Sequence, residues 1–563
     1  MARGLRLTAG GLWLSVAAAG ALAIVGFYGH RLFMPLPIFA GDEGAYLLRA
    51  IYPPQMVAND PFVVPVDNGV QLSVIRAAFA TGGPVIIVDR LANAAAYLAG
   101  LALVWRLGAA GTPRRQQIAL ALLALAFPFY RFAFSNLAEG LFVGVLALLC
   151  VVTARWYRSR PIVHALAAGA IGAALVLVKP HGVASLAALL AVGVIDAAAS
   201  GGWRRLTLRV LLFAAAFFPV GNLIQWAAEE PATHPLAFFV GDFYGGILAA
   251  RTPPDALAVG ALALGSMVAA AALLVGAPLV IGLADLAGRW RARRGRFAAE
   301  GADLVFLMLG LALGATLVMV TVFAVKVAGT SGEAGRLWGR YFEFFAPMIW
   351  LAAGPALARP IGWRTRIACA AVMLAGLSGL LASLQAGIVL FPWDVGALSA
   401  FFHPDPARAP LGEGRPLRAL ATLASLAAAL ALGLKARPAQ VGLGLTLALA
   451  VLSTWLDHRW LGPIVAQRTA LAHDIEAIGP RLPPGPAPVA LLAPDANDGH
   501  LAFLGLKTRP LVYLGPPGGQ APPGALAGVR AVVVSGTEIP PDGPWIKTFQ
   551  GRDLALFERG AQP

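Results

Sequence analysis

The chain reads as a succession of long apolar runs separated by short polar loops, and this rhythm fixes its class before any residue chemistry is considered. A helix that crosses a bilayer needs roughly 20 mostly apolar residues. On that criterion the pattern predicts helices near 11–29, 84–107, 116–130, 135–155, 162–178, 182–198, 207–228, 256–288, 303–326, 341–358, 367–391, 417–434 and 440–456, about thirteen in all. The first run follows Arg3 and Arg6, as the core of a signal peptide would. It is nevertheless long enough to span, and no small-residue cleavage site follows His30, so it reads as a retained helix. After residue 456 the pattern changes: Pro and Gly become dense, and short strand-like runs appear at 489–492, 511–514, 529–534 and 554–557, with a helical stretch near 500–506. The expected fold class is a polytopic α-helical membrane protein with a small C-terminal α/β domain. The expected division is a transmembrane domain over 1–456, with a long first outer loop at 30–83, and a soluble domain over 457–563.

Composition supports this class and adds an orientation. Hydrophobic residues make up 58% of the chain and charged residues only 13%, about half the charged share of an ordinary soluble protein. The 43 Lys and Arg exceed the 28 Asp and Glu by 15, but this surplus sits between apolar runs, which argues against nucleic acid as a partner. Instead it falls on every second loop: Arg114 and Arg115; Arg155, Arg158 and Arg160; Arg204, Arg205 and Arg209; Arg289 to Arg296; Arg359, Arg364 and Arg366; Lys435 and Arg437. Retained Lys and Arg mark the cytoplasmic side. The N-terminus is therefore expected in the cytoplasm and the C-terminus outside, which in a bacterial inner membrane means the periplasm. Cys150 and Cys369 both lie in apolar runs, so cysteine chemistry carries no function here.

The remaining charges are few, and most of them sit near the outer ends of the predicted spans. Asp42 and Glu43 follow the first span; Asp89 and Arg90 open the second; Arg131 and Glu139 flank the turn before the fourth; Lys179 and His181 lie between the fifth and sixth; Lys326 ends the ninth; Arg340, Tyr341 and Glu343 open the tenth. Ionisable groups at such depth are expensive and by default mark a functional site. Two carboxylates facing several cations could supply a general base and a cradle for a phosphate. Plainer roles compete: Asp42 and Glu43 as helix caps, Lys179 as a snorkelling side chain, Arg340 and Tyr341 as an interface anchor, Glu139 as a structural partner of Arg131, and Asp89 and Lys326 as helix-end charges. No P-loop, dinucleotide fingerprint or zinc-protease motif occurs, and no motif marks a metal site. His234 and His403, in outer loops, are the histidines that could join a carboxylate around a divalent metal.

The order of these motifs resembles the glycosyltransferase C superfamily, integral-membrane enzymes that take a sugar from a polyprenyl phosphate. The resemblance rests on Asp42-Glu43 after the first span, Arg90 in Val88-Asp89-Arg90-Leu91, Ser135 to Glu139, Val178-Lys179-Pro180-His181-Gly182, and Gly339-Arg340-Tyr341 followed by Pro347. The layout is similar to the aminoarabinose lipid A transferase and protein O-mannosyltransferase-like branches. The resemblance implies an inverting transfer at the periplasmic face, to a lipid, glycan or protein acceptor. Asp42 would be the catalytic base, and Glu43 would position donor or acceptor. Lys179, Arg340 and Tyr341, with Arg90 as a weaker candidate, would hold the lipid phosphate, and Glu139 and His181 would bind the sugar. Undecaprenyl phosphate is the implied bacterial carrier, and the lipid-linked sugar the only cofactor-like partner besides that optional metal. The loops 229–255 and 392–416 match no particular branch, which leaves the acceptor open. The rival class is a secondary transporter or lipid flippase, in which ionisable groups lie nearer the midplane and internal repeats are common.

Overall fold

The computed structural model of the protein describes residues 9–38, 40–51, 68–228, 248–249, 252–292, 299–331, 335–390, 393–402, 414–434, 436–482, 488–493, 511–513, 528–535 and 544–560. It is mostly helical. Helices α1 (Ala9–Gly29), α2 (Ala40–Ile51), α3 (Gly69–Ala80), α4 (Val85–Ala109), α5 (Arg114–Ala126), α6 (Glu139–Trp156), α7 (Pro161–Val178) and α8 (Gly182–Ser200) form the first half. The second half holds α9 (Trp203–Ala227), α10 (Ala256–Ala292), α11 (Ala302–Ser331), α12 (Phe345–Ala352), α13 (Trp363–Gln385), α14 (Arg415–Gly433) and α15 (Pro438–Ile478). Among the described residues, eleven helices are long and apolar enough to cross a membrane. The two other spans expected from the sequence, near 116–130 and 341–358, coincide with the shorter helices α5 and α12. Leu211, Leu223, Trp226, Leu257 and Leu430 are exposed on the outer surfaces of the long helices, as side chains facing lipid must be.

Small residues let the helices approach. Along the α4–α6 contact, a Cβ added at Gly100 would lie 3.0 Å from the Val143 carbonyl oxygen, and one at Gly144 would lie 2.9 Å from that of Ala96. Without a hydrophobic drive between helices in lipid, such close backbone packing is a main source of association. It also fixes where α6 begins, and therefore where Glu139 sits.

A buried ion cluster ties the outer ends of the bundle together. Asp457, inside α15, pairs with Arg131 and lies 3.7 Å from the Arg31 guanidinium. It also accepts a hydrogen bond of 2.8 Å from the Tyr28 hydroxyl and one of 2.7 Å from Arg131 Nε. Arg131 further donates to Ser399 Oγ at 3.2 Å and to the Val395 carbonyl. Nearby, the fully buried Glu343 accepts backbone N–H bonds from Gly396, at 2.6 Å, and Ala397, at 2.8 Å. Arg131 is thus engaged by Asp457 and not by Glu139, correcting the pairing considered from sequence.

The C-terminal strands form one five-stranded sheet. Labelled in chain order, they are β1 (Val489–Leu492), β2 (Leu511–Tyr513), β3 (Ala531–Ser535), β4 (Trp545–Gln550) and β5 (Leu554–Arg559). Their spatial order is β2-β1-β3-β5-β4, with β1 parallel to β2 and β3, and β5 antiparallel to β3 and β4. Four strands coincide with the runs read from sequence. The fifth, β4, escaped because its pattern is mostly exposed and carries Lys547 and Thr548. The helix expected near 500–506 lies outside the described residues. Helix α15 continues unbroken through the expected boundary at 456. Its last turns, through Leu471, Ile475 and Ile478, share one apolar core with Val489 and Val533 of the sheet, Leu47 and Leu48 of α2, and Leu72 and Ile75 of α3. Asp474 clamps the β4–β5 turn by accepting N–H bonds from Asp553 at 2.6 Å and Leu554 at 2.9 Å.

Removing one partner of a buried ion pair leaves an uncompensated charge, which destabilises by about 3–5 kcal/mol. Asp457→Ala should therefore lower the thermal unfolding midpoint of the purified protein sharply. Asp285→Ala, which breaks only the more exposed pairs with Arg289 and Arg359, should change stability by less than about 1 kcal/mol.

Candidate active site at the outer helix ends

Two polar groups meet where the starts of α4 and α6 and the end of α7 come together. The first is a brace. Arg90 is fully buried and donates to the backbone carbonyls of Arg31 at 3.0 Å, Met34 at 2.6 Å and Leu36 at 2.8 Å. Its guanidinium also lies 3.8 Å from Glu43. Glu43 is buried too and accepts the Asn136 N–H at 2.8 Å. Asp89, read from sequence as a helix-end charge, is instead fully buried, and its carboxylate accepts hydrogen bonds from Gln71 at 3.1 Å and Asn136 at 3.0 Å. These contacts fix the segment after α1, helix α2 and the turn before α6 to one another. Arg90 braces these segments through both terminal nitrogens, while its buried Nε has no hydrogen-bond partner among the described residues. Asp42 occupies the first turn of α2, next to the anchored Glu43; its side chain lies outside the described residues.

The second group contains most of the other candidates. Lys179 follows the end of α7 in extended conformation, and its ammonium pairs with Glu139 at the first turn of α6. Both are buried. The same ammonium lies 5.4 Å from the ring centroid of Tyr341. Arg340 stacks on that ring at 5.2 Å and donates to its hydroxyl at 3.3 Å. A backbone bond of 2.6 Å from the Arg340 N–H to the Asp394 carbonyl holds this turn in place. His181 packs between Phe142, at 4.4 Å between ring centroids, and Tyr341, at 5.4 Å. The structure therefore brings Glu139, Lys179, His181, Arg340 and Tyr341 into one cluster, from three segments far apart in sequence.

This cluster has unused bonding capacity. An ammonium can donate three hydrogen bonds, and among the described residues Lys179 makes one, to Glu139. Glu139 Oε2 and His181 Nδ1 are buried with no hydrogen-bond partner among the described residues. Buried polar atoms are nearly always satisfied, so two such atoms beside a cation point to a ligand. Beside the cluster, Arg336 lies 3.8 Å over the Trp338 ring and 3.6 Å from Asp394. Sequence reasoning missed Arg336 and Asp394 because they sit in loops, where a charge is unremarkable until the chain folds. His234 and His403 lie outside the described residues. Among the described residues, no group of three His, Cys, Asp or Glu is arranged to hold a metal.

The fold is shared with a solved structure that matches the chain end to end. The particular structure that matches end to end is ArnT from Cupriavidus metallidurans, solved with bound undecaprenyl phosphate. The match has a TM-score of 0.54 at 17% identity and covers 98% of this chain and 99% of that one. An oligosaccharyltransferase from Archaeoglobus fulgidus (TM-score 0.42, 14% identity, 93% of this chain and 69% of that one) and the arabinosyltransferase EmbB from Mycobacterium smegmatis (0.40, 18%, 81% and 41%) align more loosely. No protein-family model and no curated protein sequence matches the chain.

His181 follows α7 and precedes α8, outside both spans, and burial, then Lys179 and Arg340, push its imidazole well below the ordinary value. The folded protein thus binds the His181 proton less readily than the unfolded chain. By linkage, stability is full above the unfolded value of about 6.5 and is lost as pH falls below it. Thermal unfolding midpoints should drop below about pH 6.5 in the native sequence, and His181→Gln should flatten that slope.

Proposed function

We propose that the protein is an inverting glycosyltransferase that moves a sugar from a polyprenyl-phosphate donor to an envelope acceptor at the outer, periplasmic face of a bacterial inner membrane. The observation that carries this reading is the convergence of Lys179, Arg340 and Tyr341 around buried, unsatisfied atoms of Glu139 and His181. A lipid-linked sugar phosphate needs this combination. Cations stabilise the phosphate as it leaves, and an acceptor oxygen and an imidazole nitrogen bind sugar hydroxyls.

In this reading Lys179 and Arg340 hold the lipid phosphate, while Tyr341 orients both cations through its ring. Glu139 has two roles: one oxygen pairs with the Lys179 ammonium, and the other accepts from the sugar. Asp42, presented by the anchored first turn of α2, takes the proton of the acceptor hydroxyl. The acceptor oxygen attacks the anomeric carbon, the bond from that carbon to the phosphate oxygen breaks, and the negative charge stays on the lipid phosphate. Attack on the face opposite the leaving group inverts the anomeric centre. Glu43 and Arg90 position α2 and do not touch substrate. The fold match to ArnT, crystallised with undecaprenyl phosphate, supports this donor class.

Purified protein supplied with labelled polyprenyl-phosphate sugars and candidate lipid, glycan and peptide acceptors tests the proposal. Asp42→Asn should reduce turnover by roughly 10²–10⁴, the range for loss of a general base. Lys179→Met should lower kcat/KM through the donor. Unchanged turnover in Asp42→Asn would remove Asp42 from the mechanism, and no transfer from any polyprenyl-phosphate sugar would remove the reading.

A further inference from the structure

A second unexplained feature involves the start of α7, the end opposite Lys179. A cleft of about 330 Å³ opens between α7, α8 and α9. Its walls are almost wholly apolar, including Ala168, Leu186, Leu190, Val210 and Phe213, and its polar lining is Tyr157, His164 and Arg209. Leu190 and Val210 are exposed at 49% and 44%, so the cleft is open on the side where the helices present apolar residues to lipid.

The polar end is built but incomplete. His164 is only 4% exposed, and its Nδ1 has no hydrogen-bond partner among the described residues, although its Nε2 lies 3.4 Å from Thr153 Oγ1. Arg209 stacks on the Tyr157 ring at 4.4 Å and donates to the Tyr157 carbonyl at 3.0 Å, but its buried Nε is also without a partner among the described residues. Asp196 lies 3.9 Å from Arg209 and 3.4 Å from Arg158. Against this single carboxylate stand Arg158 and Arg209, with the exposed Arg155 near the end of α6, Arg160 just before α7, and Arg204 and Arg205 in the first turn of α9. This end therefore carries a net positive charge, and two buried nitrogens without partners among the described residues belong to side chains that line the slot.

We infer that the cleft is a binding site for one anionic glycerophospholipid, with an acyl chain in the slot and the headgroup phosphate at Arg209 and His164. Two points distinguish it from the donor site. His164 and Lys179 lie near opposite ends of α7, about 20 Å apart along the helix axis at its ordinary rise per residue. The polar end also coincides with the loops whose Arg content places them on the cytoplasmic side, where anionic headgroups gather.

Native mass spectrometry of the full-length protein, released from nanodiscs of mixed phosphatidylglycerol and phosphatidylcholine, tests this directly. One tightly retained lipid is expected, with phosphatidylglycerol favoured roughly fivefold, the preference expected of one basic residue at the membrane surface. Ala187→Phe, which fills the exposed mouth of the cleft without touching its polar end, should abolish retention. Arg209→Gln should retain a lipid but erase the preference between headgroups. Equal retention of the two lipids by the native sequence would overturn the inference, as would a retained lipid in a folded Ala187→Phe protein. Displacement of the bound lipid by added polyprenyl phosphate would also overturn it and would reassign the cleft to the donor. The native-sequence comparison decides the matter even if a variant does not fold.

Discussion

The structure depends on the neutralisation of charge at the outer ends of its helices, above all by the pairing of Arg131 with Asp457. Neither group can be left alone at that depth, because an isolated charge out of water is stabilised by nothing else. The pair joins the turn before α6 to the middle of α15, and through Tyr28, Arg31, Ser399 and Val395 it reaches the end of α1 and the segment before α14. Segments more than three hundred residues apart are thereby held at one level. The cluster around Lys179 can be assembled only because the turn that leads into Glu139 is fixed in this way.

Cations at the same level divide according to what their N–H groups face. Arg131 and Arg90 are directed at protein: Arg131 at a carboxylate, a hydroxyl and a carbonyl, and Arg90 at three carbonyls. Both are buried, and both hold loops by donating to their backbone carbonyls. Lys179 differs in kind. It is buried beside an aromatic ring, its one carboxylate partner has an oxygen to spare, and an ammonium is a compact donor that can keep one partner while taking another. The Arg90 guanidinium is held at both terminal nitrogens, which leaves only its Nε without a partner among the described residues.

Much of this arrangement could be read from the chain. The apolar periodicity placed the long helices, since burial in lipid leaves no other way to satisfy the backbone, and alternating basic loops gave a consistent register. The convergence of Glu139, Lys179, His181, Arg340 and Tyr341 was visible as charges recurring at one end of the predicted spans. Pairing was not visible. Glu139 lies eight residues from Arg131 and forty from Lys179, and sequence distance favours the wrong partner. Asp89 stood at the start of a predicted span and read as a helix-end charge, while Asp457, just beyond the last one, drew no reading at all. Only the packing of α15 and of α3 turns them inward.

The same reasoning explains why α2 matters more than its length suggests. One face of α2 carries Leu47 and Leu48 into the apolar core shared with α3, α15 and the sheet, while Glu43 at its start is held by Asn136. The helix is thus fixed by apolar packing at one end and by a buried carboxylate at the other. The first turn of α2, which carries Asp42, is positioned by both the C-terminal sheet and the start of α6. Glu139 lies three residues beyond Asn136, so the sheet, α2 and the Lys179 cluster are mechanically continuous. A sheet distant in sequence therefore helps to set the placement of the turn that carries Asp42.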